Sequence, residues 1–145
     1  MKMAQEYEQL KLKNQLCFPL YACSRKIVGS YTPYLKPLGL TYTQYIVFLV
    51  LWEKESVNVG QLGETLCLDA GTLTPLLKRL EKDGYVTRKR SEEDERVTIV
   101  SITDKGNKLK EECKDIPLKL SCAGSPLTEK EAKELYRLLY KVLRK

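Results

Sequence analysis

At 145 residues the chain is expected to form one compact domain or one subunit of an oligomer. Its 43% apolar content sustains a core and excludes a disordered chain. A formal charge of +6 and a pI near 9.0 favour an anionic partner, nucleic acid or a membrane surface, without choosing between them.

The longest apolar run, Tyr45 to Trp52, falls far short of the ~20 residues of a transmembrane helix, so no membrane span is expected. Residues 1–12 are charged and lack an apolar h-region. No secretory signal is therefore expected, and the cytoplasm is the expected location. There are five cysteines but no CxxC pair, and no histidine at all. No structural zinc site, other metal or cofactor is expected. The missing histidine also removes every Ser-His and Cys-His pair, so no catalytic residue is assigned.

In chain order, Met1 to Lys13 reads as a loose polar arm. Asn14 is a candidate N-cap, and Leu16, Leu20, Cys23 and Ile27 follow at helical spacing. Pro19 fits only a first turn, which keeps Cys17 within a turn of the helix start whichever residue begins it. Gly29 is expected to loosen the end of that helix. Tyr31 to Gly39 reads as a short separate piece, with Pro33 at its first position and Pro37 and Gly39 ending it. Thr41 with Gln44 forms a capping box that opens a helix through Trp52, and Asn58 with Gln61 opens a short one to about Leu66. Asp69 caps the next helix, roughly Ala70 to Lys82, with Gly84 at its C′ position. Tyr85 to Arg90 and Arg96 to Ile102 are strand-like, joined by the polar turn Ser91 to Glu95. Thr103 caps a long helix to about Lys119, bent at Pro117. Cys122 to Pro126 is a linker. Thr128 with Glu131 opens a last amphipathic helix carrying Ala132, Leu135, Leu138, Leu139 and Val142.

Helices, two strands, then helices point to a mostly α fold with a small β-hairpin wing. Two strands do not stand alone, but a hairpin packed on a helix-turn-helix does. Two helices joined by a three- or four-residue turn form such a motif, and its second helix enters the major groove of DNA. Leu73, Leu76, Leu77 and Leu80 supply the buried stripe of that helix. Thr72, Thr74, Pro75, Lys78 and Arg79 are left outside. Small hydroxyls near a helix start suit phosphates or base edges, and Lys78 and Arg79 suit phosphate or guanine. Arg88, Lys89 and Arg90 on one strand and Arg96 on the other make a basic hairpin suited to the adjacent minor groove. Basic residues on one helix face are more often plain solvated surface. The conjunction of capped helix pair, basic strands and charged tip is what favours DNA. The acidic run Glu92 to Glu95 runs against it, unless Asp94 orients Arg96 through a bidentate pair.

The segment LDAGTLTPLLKRLEKDGYVTRKRSEEDERVTIVSIT resembles the MarR family of winged-helix repressors, notably in Asp94-Glu95-Arg96 and the preceding Arg88-Lys89-Arg90. The likeness covers nearly the whole chain, including LTYTQY at Leu40 to Tyr45. QLCFPLYACSRKI at Gln15 to Ile27, with the spaced tyrosines, is similar to the OhrR branch, which senses organic hydroperoxides. The resemblance implies one subunit over 1–145, with a winged helix-turn-helix at about 40–103 and dimerisation helices at 14–39 and 103–145. It implies a homodimer whose terminal helices interlock on an inverted-repeat operator in double-stranded DNA. By position, Ala70, Thr72, Thr74, Pro75, Lys78 and Arg79 then lie at the major groove, and Asp94 and Arg96 at the wing tip. Ala70 stands where such proteins often have serine.

A thiol reacts as its thiolate, and helix N-termini favour anions. Peroxide converts such a thiol to a sulfenic acid, which condenses with a second thiol. Cys17 lies at a helix start, Tyr21 one turn along, and Tyr31 and Tyr42 just beyond. The resemblance makes Cys17 the peroxide-reactive cysteine, hydrogen-bonded by the tyrosines at Tyr31 and Tyr42, with Tyr21 nearby. It also implies Cys122 as a resolving thiol toward the partner subunit, a small-molecule thiol being the branch's other route. Cys23, Cys67 and Cys113 are expected to be passive packing residues. Three functions stay open. One is a DNA-binding regulator, a repressor, released when organic hydroperoxide oxidises Cys17. Another is the same fold released by a small aromatic ligand in a cleft lined by Phe18, Tyr21, Tyr45, Phe48 and Trp52. The third is a cysteine-based peroxidase, which the lack of CxxC and histidine disfavours.

Overall fold

A computed structural model describes residues 7–121 and 126–144 and divides the chain into two units, 1–113 and 114–145. In the first unit, α1 runs unbroken from Cys17 to Leu35. Asn14 is not its cap. It ends a 3-10 turn at Leu12–Asn14, and its Nδ2 donates to the Glu8 carbonyl at 2.7 Å. The separate piece expected from Tyr31 is also absent, because Pro33 sits inside the helix. Proline removes the bond to the carbonyl four residues back. That residue is Gly29, which is exposed, and nothing lies within 4 Å of where a Cβ would stand on it, so water can serve its carbonyl. A turn at Lys36–Leu38, with Gly39 at φ +70, leads out of α1.

The capping residues then behave as their chemistry requires. Thr41 and Gln44 close a reciprocal box, at 3.2 and 3.0 Å, that starts α2 (Tyr42–Lys54). This helix buries Tyr45, Val47, Phe48 and Leu51. Glu55, at φ +60, turns the chain into a strand the sequence pattern does not reveal, β1 (Ser56–Asn58). Asn58 caps α3 (Val59–Leu66), accepting from Gly60 N at 2.7 Å. Gly63 is required where it stands, since a Cβ there would lie 2.8 Å from the Leu68 carbonyl oxygen. Cys67, at φ +54, begins the short turn to Asp69. Asp69 caps α4 (Ala70–Lys82), accepting from Thr72 N at 2.8 Å. Leu73, Leu77 and Leu80 of α4 are each 1% exposed, and burial of that kind stabilises by about 1.5–3 kcal/mol per side chain.

β2 (Val86–Arg90) and β3 (Thr98–Ile102) form the hairpin, and β1 joins it in an antiparallel sheet of order β1-β3-β2. Val57 and Arg88 both lie opposite Val100, one on each side of the central strand. Thr103 Oγ1 accepts from Gly106 N at 3.2 Å at the start of α5 (Asp104–Cys113). Trp52 Nε1 donates to the Gly106 carbonyl at 3.0 Å, tying α2 to α5.

The second unit holds α6 (Ile116–Ser121) and α7 (Glu129–Leu143). The long helix expected from Thr103 to about Lys119 is thus two helices. Pro117 stands at the second position of α6, where a proline forfeits no helical bond. Thr128 and Glu131 form the expected capping box of α7. Leu135, Leu138, Leu139 and Val142 all remain exposed. The chain is mostly helical with a small antiparallel sheet that carries the wing. No described helix is long and apolar enough to cross a membrane.

Candidate nucleic-acid interface and redox site

Ala70 and Thr72 stand exposed at the capped start of α4. Thr74 is half-buried, while Pro75, Lys78 and Arg79 are exposed along the same helix. Arg79 Nε lies 3.7 Å from Asp83 Oδ2, an open i,i+4 pair that holds the guanidinium only weakly. Lys89 and Arg90 are exposed on the outer half of β2.

The wing tip carries the expected bidentate pair. Asp94 Oδ1 accepts from the Arg96 backbone N at 3.0 Å and from its Nε at 3.1 Å, and Oδ2 accepts from Nη2 at 3.1 Å. Hydrogen bonds from Arg96 hold the Asp94 carboxyl below its ordinary range. The Arg96 side chain is still 90% exposed, so the acidic neighbour aims it without hiding it.

Arg88 departs from its expected role as a free basic contact. Its Nε and Nη2 donate to Glu81 Oε2 at 3.1 and 2.8 Å, and its backbone N donates to Glu81 Oε1 at 3.0 Å. A carboxylate on α4 thus occupies Nε and Nη2 of the guanidinium. Nothing in the sequence singles out Glu81, because its partner lies across a helix end and a turn. Its carboxyl is held below the usual range, chiefly by the side-chain hydrogen bond from Arg88.

Cys17 is the first residue of α1 and is exposed. Pro19 follows within the first turn, where its missing N–H costs nothing. Tyr21 lies one turn along, 61% exposed, with the Arg25 guanidinium 5.5 Å over its ring. Tyr31 and Tyr42 meet edge to face, with ring centroids 4.9 Å apart. A third tyrosine completes the cluster: Tyr45 is 5.6 Å from Tyr31 and 6.2 Å from Tyr42. The sequence placed Tyr45 only among core or cleft aromatics. Burial, then the neighbouring Tyr31 phenol, raises the Tyr42 pKa. Burial foremost pushes Tyr45 up to about 12. Both phenols therefore stay protonated, and able to donate, well past neutral pH.

Cys17 does not share this cluster within one chain. Cys17 and Tyr31 stand near opposite ends of α1, about 21 Å apart along its axis at ~1.5 Å per residue. Among the described residues no hydrogen bond joins Cys17 to Tyr21, Tyr31 or Tyr42. The sequence expectation that Tyr31 lies just beyond Cys17 fails because α1 continues as one helix through Pro33. Cys122 lies outside the described residues. Cys23 and Cys67 are exposed rather than packed, and Cys113 is buried, as a passive thiol would be. Burial foremost, then Glu112, pushes the Cys113 thiol up to about 11.

A family model for the transcriptional regulators SarA/Rot matches residues 30–113. The organic hydroperoxide resistance transcriptional regulator of Bacillus subtilis (strain 168) is 48% identical over 141 residues, 97% of this chain and 95% of that protein. Reduced AbfR bound to DNA aligns with a TM-score of 0.77 at 39% identity, covering 94% of this chain and 95% of that one. AbfR is a protein of Staphylococcus epidermidis. Its disulfide form aligns with a TM-score of 0.64 at 37% identity, covering 94% of this chain and 96% of that one.

Proposed function

The chain belongs to the MarR-type winged-helix transcriptional regulators, on the organic hydroperoxide resistance branch, and from that premise we propose a repressor that leaves its operator when organic hydroperoxide oxidises Cys17. The observation that carries the reading is the exposed Cys17 at the first position of α1 in a chain whose α4 and wing expose Lys78, Arg79, Lys89, Arg90 and Arg96. AbfR was solved on DNA in its reduced and overoxidised forms and, separately, as a disulfide, which supports DNA binding and a redox-active thiol in the same protein. The peroxidase alternative falls away with the family, whose members are regulators.

DNA is held by α4 in the major groove and by the wing in the minor groove. Thr72 and Ala70 approach at the helix start, Thr74 and Pro75 line the same face, and Lys78 and Arg79 neutralise phosphate or read guanine. Arg96, aimed by Asp94, enters the minor groove. The chain is one subunit, with a reader at about 40–103 and dimer contacts from 14–39 and 103–145. The first half of α1 and the face of α7 support this, since Leu16, Phe18, Ile27, Leu138 and Leu139 are uncovered in the single chain.

The oxidation step is a two-electron transfer. The Cys17 thiolate attacks the distal peroxide oxygen, the O–O bond breaks, and the alkoxide leaves to take up a proton as alcohol. Cys17 becomes a sulfenic acid. A second thiol, Cys122 of the partner subunit or a small-molecule thiol, then forms a disulfide and releases water. Phenols hold the reacting sulfur and oxygen as donors. Since Tyr31 and Tyr42 are far from Cys17 on their own chain, the pair that serves each cysteine comes from the partner subunit. Tyr21 lies close by on the same helix as Cys17.

Gel-shift on the protein's own upstream DNA tests the reading. Reduced protein is expected to bind, with affinity falling steeply with salt. Stoichiometric cumene hydroperoxide is expected to release wild-type protein and leave Cys17→Ser bound. Release of Cys17→Ser by peroxide would sink the switch, and absence of any salt-sensitive complex would sink the DNA reading. Release by phenolic compounds with no response to oxidant would favour the aromatic-ligand reading.

A further inference from the structure

Glu81 lies near the C-terminal end of α4, and its carboxylate faces the wing. One oxygen takes both guanidinium bonds of Arg88 and the other takes the Arg88 backbone N–H. The sheet order leaves β2 as an edge strand, so this carboxylate satisfies an amide that β3 does not pair. The position is particular. β1 supports β3 only over Ile99 to Ser101, so beyond the Lys89–Ile99 pair the hairpin extends to its tip without a third strand. The contact therefore ties the end of α4 to the root of the wing, one residue before the support from β1 ends. The Glu81 and Arg88 side chains are 37% and 24% exposed, less open than the 90% of Arg96.

We propose that Glu81 is a positioning residue for DNA recognition: closed on Arg88, it sets the angle at which the wing leaves the recognition helix. This rests on the DNA-binding reading above. α4 and the wing address different grooves, so their relative angle decides whether Arg96 reaches its groove while α4 is seated. On this account Arg88 is not a phosphate contact. It is the wing's half of a brace whose other half belongs to the reader.

The sign of one substitution separates the brace from bystander charge. Glu81→Gln removes a negative charge beside DNA while keeping the side chain's shape, so simple electrostatics predicts binding that is unchanged or tighter. The brace predicts binding weaker by roughly five- to tenfold, the scale of one ordinary hydrogen bond. Hydroxyl-radical footprints on the protein's own upstream DNA locate the loss. Protection at the minor-groove positions flanking each half-site is expected to fade, while positions facing α4 stay protected. Arg88→Lys is the second variant. Lysine keeps the positive charge that a phosphate needs but cannot chelate Glu81 through two nitrogens. It is expected to reproduce the footprint of Glu81→Gln, with circular dichroism and dimer mass unchanged in both. Wild-type affinity and footprint in Glu81→Gln, or a uniform loss across all positions, overturns the brace alone. A wild-type protein that protects no DNA overturns the DNA reading and the brace with it.

Discussion

Arg88 stands on β2, whereas Arg96, expected to open the second strand, lies in the turn at the wing tip because β3 begins only at Thr98, and the two end in opposite states. Each is held by a carboxylate, yet Glu81 folds Arg88 back onto the reader while Asp94 leaves Arg96 pointing outward. The same chemistry serves posture in one case and presentation in the other. Buried acids form a second residue-scale theme. Cys113 is pushed from 9.0 up to about 11, and Tyr45 from 10.0 up to about 12. In both, the folded state keeps a proton that the unfolded chain loses earlier. Their contribution to stability is complete below pH ~9 and is lost as pH rises, first through the Cys113 window and then through that of Tyr45. The thermal midpoint is therefore expected to decline between pH 9 and 11. Cys113→Ala, at a cost in packing, is expected to move the onset of that decline about one unit higher. Melting curves followed by circular dichroism check this, and a wild-type midpoint that is level from pH 8 to 11 would contradict it.

Elements were legible in the sequence where the signal is local. Thr41, Asn58, Asp69, Thr103 and Thr128 each bond a backbone N–H within three residues, so each start can be read from a few letters. The Asp94–Arg96 pair is readable for the same reason. β1 is not, because three residues become a strand only through pairing with β3 far along the chain. Glu81 with Arg88, and Tyr45 with Tyr31, are likewise made by packing rather than spacing. Proline misled at α1, where a helix gives up one bond and continues. Gly106 gives the sharpest test of how the elements are joined. A Cβ there would stand 2.5 Å from the Tyr85 carbonyl oxygen and 2.7 Å from Ile102 Cγ1, between the foot of the wing and α5. Gly106→Ala is expected to lower stability by about 2–3 kcal/mol, since backbone cannot step aside cheaply. Gly29→Ala, with open space around it, is expected to raise stability by roughly 0.5–1 kcal/mol. Urea midpoints measured side by side check both signs.

At the scale of the molecule, the packed aromatic row starts at the tyrosine cluster and ends at the foot of the wing. Tyr45 leads to Trp52 at 6.4 Å, Trp52 to Phe48 at 5.4 Å, and Phe48 to Tyr85 at 5.6 Å. The tyrosine cluster and the base of the reader are thus joined by continuous aromatic packing. The cysteine that starts the process belongs, on the proposed reading, to the other chain. The length of α1 then has a genetic consequence. A Cys17→Ser subunit and a Tyr31→Phe/Tyr42→Phe subunit are each expected to make an unresponsive homodimer. Paired with each other they leave one site doubly disabled and rebuild the other whole, cysteine from one parent and tyrosines from its mate. Differently tagged subunits, co-expressed and purified as the mixed species, are expected to regain peroxide-triggered release. A mixed species as inert as its parents would mean that each chain senses alone. Two defective alleles complementing one another is the phenotype expected of a switch whose cysteine and tyrosines a nineteen-residue helix holds apart.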